Sequence, residues 1–168
     1  VDNNSDTGGG WAHDILNDSF FTELISLTTR GAFDAMVVAF PCSTFSAARL
    51  FKTNPPGPPA IRTKSFPDGL DAKDLDPKHA AELNRTKILL DRTIQLMIAA
   101  RSSPKKTTIV LENPADRSIP NTLPYGEDTK DHGSLWATSH FKELRYAIPD
   151  SSMATFSFCR FSSDFQKY

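Results

Sequence analysis

Two residues of this chain could carry out covalent chemistry together. Cys42 lies in AFPCSTFSAAR, positions 39–49, and Glu112 lies in TIVLENP, positions 108–114. A thiolate adds to electron-poor carbon, and a carboxyl group can hydrogen-bond or protonate the atom on which the displaced electron pair arrives. Cytosine is a ring that needs both, because its C5 is unreactive until a nucleophile adds at C6, and an acid at N3 helps that addition. A lone cysteine is more often a small buried apolar residue. The carboxylate at an equivalent strand end makes Cys42 a candidate nucleophile.

The elements that would position the pair can be read from hydrophobic patterning. Phe33 to Phe40 and Thr107 to Leu111 are short, almost continuously apolar runs, the pattern of strands buried on both faces of a parallel sheet. Between them, Pro77 to Arg101 predicts a long helix, with Leu83, Leu90, Ile94 and Met97 on one face. Asp76 before Pro77 is a good N-cap followed by proline at the first helical position. Strand, helix and strand form a βαβ unit, whose right-handed crossover brings both strand C-termini to one sheet edge, where open α/β folds place ligands. Upstream, Ile15 to Leu27 predicts a helix. Downstream, Ser134 to Tyr146 predicts a helix and Ala154 to Phe161 a strand. Phe51 to Asp76 is a long loop rich in Pro and Gly, read as a lid.

Composition narrows the possibilities further. With 168 residues, 39% of them apolar, the chain is sized for a single domain over residues 1–168. Its 19 Lys and Arg against 20 Asp and Glu give a net charge of −1, so no global field attracts a polyanion. Any nucleic-acid contact needs a local patch, and Arg49, Lys52, Arg62 and Lys64, in a stretch without acids, supply the best candidate. Cys42 and Cys159 have no partner at CxxC spacing, and His79, His132 and His140 lack metal-ligand spacing. No metal site and no disulfide framework is expected. No apolar run is long enough for a membrane span and the N-terminus does not resemble a signal peptide. These features predict an intracellular protein of the nucleus or a host cell's cytoplasm, not a secreted one.

Pro41-Cys42 followed by Phe45-Ser46, together with Glu112-Asn113, resembles the PCxxFS and ENV signatures of cytosine-5 DNA methyltransferases. Ser43 stands where that family usually has Gln, and Pro114 where it usually has Val; these spellings are similar to divergent versions from phages and mobile elements. The resemblance implies a Rossmann-like, three-layer, mostly parallel α/β fold. It implies DNA as partner and S-adenosyl-L-methionine as methyl donor, with Cys42 adding to cytosine C6 and Glu112 holding N3. It also implies cofactor contacts at Asp2, Asp14 and Pro41. Asp14-Ile15 is similar to the family's DI pair, although an Asp before a helix is also a common cap.

For the substrate, the resemblance implies contacts from Ser46, Arg49, Arg62, Asn113, Arg160 and Lys167. The segment holding Arg49 and Arg62 resembles the mobile element that closes over a flipped base, while Asn84 reads as an exposed helix residue. The strand with the family's FxGxG loop is not in the sequence, and Gly8-Gly9-Gly10 comes after Asp2, the wrong order for it. The family's QxRxR spelling and a target-recognition domain are not found either. The fold is therefore expected to be incomplete at its N-terminus, with another segment or chain completing the cofactor site. The alternative is a catalytically inactive methyltransferase-fold module that binds DNA or another partner. A cysteine hydrolase is a third reading, but no His can be placed beside Cys42 from sequence.

Overall fold

The structure is a computed structural model that describes residue 6 and residues 9–120 and 126–155. Among the described residues it is a mixed α/β protein. Its regular elements are helix α1 (Asp18–Thr29), strand β1 (Ala35–Ala39), helix α2 (Pro77–Ser102), strand β2 (Thr108–Glu112) and helix α3 (Ser139–Ala147), with short 3-10 turns between them. β1 and β2 pair in parallel, Ala35 opposite Thr108 through to Ala39 opposite Glu112. The expected order of strand, helix and strand is therefore present.

The chain divides into two compact units. One holds the described residues up to Phe40 together with Asn84–Glu112; the other holds Pro41–Leu83 and the described residues from Asn113 onward.

In the first unit, Asn17 starts α1 by accepting from the amides of Ser19 and Phe20. The expected start at Ile15 is thus corrected to Asp18. Gly31, with φ 75°, ends the helix: its amide donates to Thr28 and that of Ala32 to Leu27, the paired bonds of a left-handed C-terminal cap. Arg92 on α2 ties this region together, donating to the Ile15 carbonyl at 2.7 Å, pairing with Asp18 and lying 4.8 Å over the Phe21 ring. Leu90, Ile94 and Met97 are buried on α2 as their spacing predicts. Full burial contributes about 1.5–3 kcal/mol for each such side chain.

The strands depart from expectation. Burial along them alternates, and Val37 and Val110 are 75% and 52% exposed. A run of apolar residues predicted cover on both faces, but one face of the two-stranded sheet lies open. Among the described residues, Met36, Val38, Ile109 and Leu111 on the other face are partly shielded, which gives a period of two up to Glu112 at the strand end.

In the second unit the core is built on Phe45, Ile61 and Leu135, all fully buried. Asp76 caps α2 as expected: its carbonyl accepts from Ala80 and its carboxylate from the His79 amide at 2.9 Å. Two sequence expectations are corrected here. The segment from Phe51 to Asp76 is not a free lid along its length, because residues 51–59 are exposed whereas Ile61 and Arg62 are core. Thr63 forms an antiparallel bridge with His132, which fastens that stretch to another part of the unit. The helix expected over Ser134 to Tyr146 is broken: a 3-10 turn Leu135–Ala137 stops at Thr138, whose side chain accepts from the Phe141 amide and starts α3. Of the strand expected over Ala154 to Phe161, Ala154 and Thr155 have no regular structure and residues 156–161 lie outside the described residues.

Candidate functional site

Cys42 occupies a turn that its neighbours force. Pro41 cannot donate to a strand ladder, and Cys42 then turns into helical geometry, its carbonyl accepting from the Phe45 amide at 2.9 Å. Cys42 is half-buried and not in a disulfide, and Pro41 is exposed. Ser43–Phe45 form one 3-10 turn and Ala47–Leu50 a second, with Ser46 between them. The Ser46 hydroxyl accepts from the Ala48 amide at 3.2 Å, so it caps the second turn.

Three side chains hold these turns. Phe45 is buried within the unit. His132, also buried, donates from Nε2 to the Phe45 carbonyl at 2.7 Å while its Nδ1 accepts from the Arg117 amide at 3.0 Å. These two bonds define the neutral tautomer with the proton on Nε2. Arg49 folds back over the first turn, donating from Nε to the Ser43 carbonyl at 2.7 Å and from Nη1 to the Pro59 carbonyl at 3.1 Å, and pairing through Nη2 with Glu82.

Arg62 is likewise turned inward. Only 3% exposed, it donates from Nη1 to the Pro67 carbonyl at 2.7 Å and lies 4.1 Å over the centre of the Phe45 ring. Burial pushes its pKa down to about 10, with Asp68 raising it and Arg49 lowering it further. The group stays charged at neutral pH. The basic patch expected from Arg49, Lys52, Arg62 and Lys64 is therefore corrected: two of its four cations face protein, leaving Lys52 and Lys64 exposed. Lys64 reaches the Ser118 carbonyl at 3.4 Å.

Ser46, Arg49 and Arg62 do come together, lining one small cleft with Thr44, Phe45 and His132. Two of these residues escaped sequence reading. His132 has no spacing that marks it, because its partners are backbone groups 15 and 87 positions away. Thr44 sits inside the PCxxFS motif as an unspecified position, and it is buried.

Asp116 stands 3.7 Å from His132 Nδ1 and accepts from the Ser118 amide at 2.8 Å. Burial raises its pKa, but the neighbouring His132 and the hydrogen bonds from Ser118 outweigh that and hold its carboxyl below the ordinary 3.8.

In the other unit, Glu112 ends β2 and is half-buried. Its register partner is Ala39 at the end of β1, and Cys42 follows Ala39 by three residues. Asn113, half-buried, opens the return of the chain into the second unit. Asp14 is buried, its carboxylate accepting from the Leu16 amide at 2.9 Å and lying 3.5 Å from Arg85 Nη2. That placement is a turn cap with an ion pair. Of the residues expected to hold a methyl donor, Asp14 thus serves protein partners and Pro41 offers no polar side chain. Asp2, Arg160 and Lys167, and with them Cys159, lie outside the described residues.

No helix among the described residues is long and apolar enough to cross a membrane, and no group of three or more His, Cys, Asp or Glu there could hold a metal ion. No family model, curated protein or solved structure matches the chain.

Proposed function

We infer that the chain acts on cytosine in DNA as a cytosine-5 methyltransferase of Rossmann-like fold, forming a covalent adduct through Cys42. The observation that carries this reading is the parallel register of Ala39 with Glu112. Both strands end at the same edge of the sheet, one at a carboxylate and the other three residues before a thiol. The PCxxFS and EN signatures fall on those two strand ends, which supports the resemblance.

The step assigned to the chain's own residues is addition and its reversal. The Cys42 thiolate forms a carbon–sulfur bond at C6, and the electron pair of the C5–C6 double bond is released toward C5 while Glu112 hydrogen-bonds or protonates N3. Elimination later passes the C5 proton to water, the C5–H electron pair re-forms the C5–C6 double bond, and the carbon–sulfur bond breaks with its pair leaving on Cys42 as thiolate. S-adenosyl-L-methionine, when bound, supplies the methyl group for C5. A target inside a duplex has to leave the stack to meet the thiol. Arg49, His132 and Phe45 act by fixing the turn that carries Cys42.

The addition can be tested with and without the methyl donor. Duplex DNA containing 5-fluorocytosine, incubated with the chain and donor, is expected to give a covalent adduct on a denaturing gel, and Cys42→Ser should remove it. Exchange of the cytosine C5 hydrogen with solvent, measured without donor, reports the same addition. If neither adduct nor exchange appears, the covalent reading fails. A second reading, an inactive module of the same fold that binds DNA, draws support from Asp14, whose carboxylate serves a turn and Arg85. It predicts DNA binding that Cys42→Ser leaves unchanged, with neither adduct nor exchange.

A further inference from the structure

Within the second unit, the chain leaves the turn at Ala47–Leu50 and is buried again at Ile61, and all nine residues of the segment FKTNPPGPP, positions 51–59, are exposed. This excursion bridges no distance. Arg49, just before it, donates from Nη1 at 3.1 Å to the carbonyl of Pro59 at its far end, and pairs with Glu82 on α2. Both ends therefore meet at one guanidinium, and a plain connection between them needs only a few residues.

The middle of the excursion bonds only to itself. Thr53 Oγ1 donates to the Pro55 carbonyl and accepts from the Gly57 amide, both at 2.9 Å. Among the described residues, no hydrogen bond or ion pair from 52–58 reaches another element. Lys52 is one of these exposed residues, so its charge faces solvent without a carboxylate from the described chain.

Four of the twelve prolines stand at 55, 56, 58 and 59. Each fixes its own φ at about −65°, and each keeps the residue before it out of the helical region. Pro55 and Pro58, which are both prolines and precede prolines, are confined to polyproline II, and residues 56–62 contain no helix, turn or bend. That helix has three residues per turn, so Pro55 and Pro58 share one edge and Pro56 and Pro59 the next. Two Pro-Pro pairs thus stand one turn apart, about 9 Å. Without four of its amide donors, the segment cannot be read by strand addition.

We propose that residues 51–59 are a docking ligand for a protein partner whose groove is floored by Tyr and Trp and rimmed by carboxylates. Each Pro-Pro pair seats between aromatic rings, the Pro56, Gly57 and Pro58 carbonyls accept from Tyr O–H or Trp N–H groups, and Lys52 faces the acidic rim. Stiff prolines and ends pinned at Arg49 leave little conformational freedom to lose on docking. The inference does not rest on the methyl-transfer reading, because neither Cys42 nor Glu112 takes part.

The test places the whole chain over isolated SH3 and WW domains with acidic rims, immobilised on a sensor. Saturable binding is expected, and a synthetic Pro-rich peptide that fills the same groove should displace the chain. The double variant Pro55→Ala, Pro58→Ala should weaken binding about tenfold, since ring burial and stiffness are both lost. Lys52→Ala should weaken it about threefold and flatten its dependence on salt. Thermal midpoints of the variants report whether the fold is kept.

Failure to bind any of the domains overturns the proposal, as does binding that the peptide does not displace or that the double variant retains. Should the double variant not fold, an affinity unchanged by Lys52→Ala overturns it instead. Cys42 adduct formation is a separate measurement, so failure here and failure of the methyl-transfer reading are told apart.

Discussion

The guanidinium of Arg62 stands 4.1 Å over the Phe45 ring, while the carbonyl of Phe45 accepts from His132 Nε2 at 2.7 Å. A single residue three positions beyond Cys42 therefore anchors a cation with its side chain and an imidazole with its backbone. Phe45→Ala should cost about 3–5 kcal/mol, the usual cost of emptying a buried aromatic site. Phe45→Leu keeps most of the volume and should cost less than half as much. Urea unfolding of the two variants checks this, and equal losses would place the cost in something other than packing.

Arg49 makes a different kind of contribution. Its side chain is 7% exposed and serves two carbonyls and Glu82. Arg49→Ala strands three acceptors and should cost about 2–4 kcal/mol. Glu82→Gln leaves both carbonyl bonds in place and should cost about 1 kcal/mol. Denaturant midpoints decide the order. A loss from Arg49→Ala no larger than that from Glu82→Gln would mean the carbonyl bonds add little.

Acid should act on the unit through Asp116. Its folded pKa lies below the ordinary 3.8 because the neighbouring His132 and hydrogen bonds from Ser118 favour the carboxylate. A depressed acid stabilises the fold fully above its unfolded value, and that contribution drains as pH falls through the folded one. Asp116→Asn should therefore be less stable than the parent at about pH 7, with the gap closing as pH drops toward about 3. Thermal midpoints over that range give the comparison, and a gap that stays constant would assign the loss to geometry rather than charge.

The sequence was most legible where a local rule dominated. Asp76-Pro77 marked the start of α2, and the spacing of Leu83, Leu90, Ile94 and Met97 marked its buried stripe, because capping and helical periodicity are short-range. The two strands were legible as apolar runs with their parallel pairing, but not their exposure, since a run such as AMVVA does not say how many layers cover it. Asn17 and Thr138 were the overlooked caps, and each moved a helix start by several residues.

At the candidate site, the strand-end positions of Cys42 and Glu112 were legible, Glu112 closing β2 and Cys42 following the end of β1 by three residues. Arg49 and Arg62 were legible as cations but not in direction. An arginine's side chain is long enough to face water or protein, and only distant partners such as Glu82, Pro67 and Phe45 decide which. His132 was invisible because its work is done by backbone groups that any residue could supply.

The imidazole of His132 has one more consequence. A proton on a nitrogen held 2.7 Å from a carbonyl oxygen and shut away from bulk water leaves only when the surrounding backbone opens. Its nuclear magnetic resonance signal, followed after transfer into heavy water, would serve as a clock for how often the turn beside Cys42 breathes.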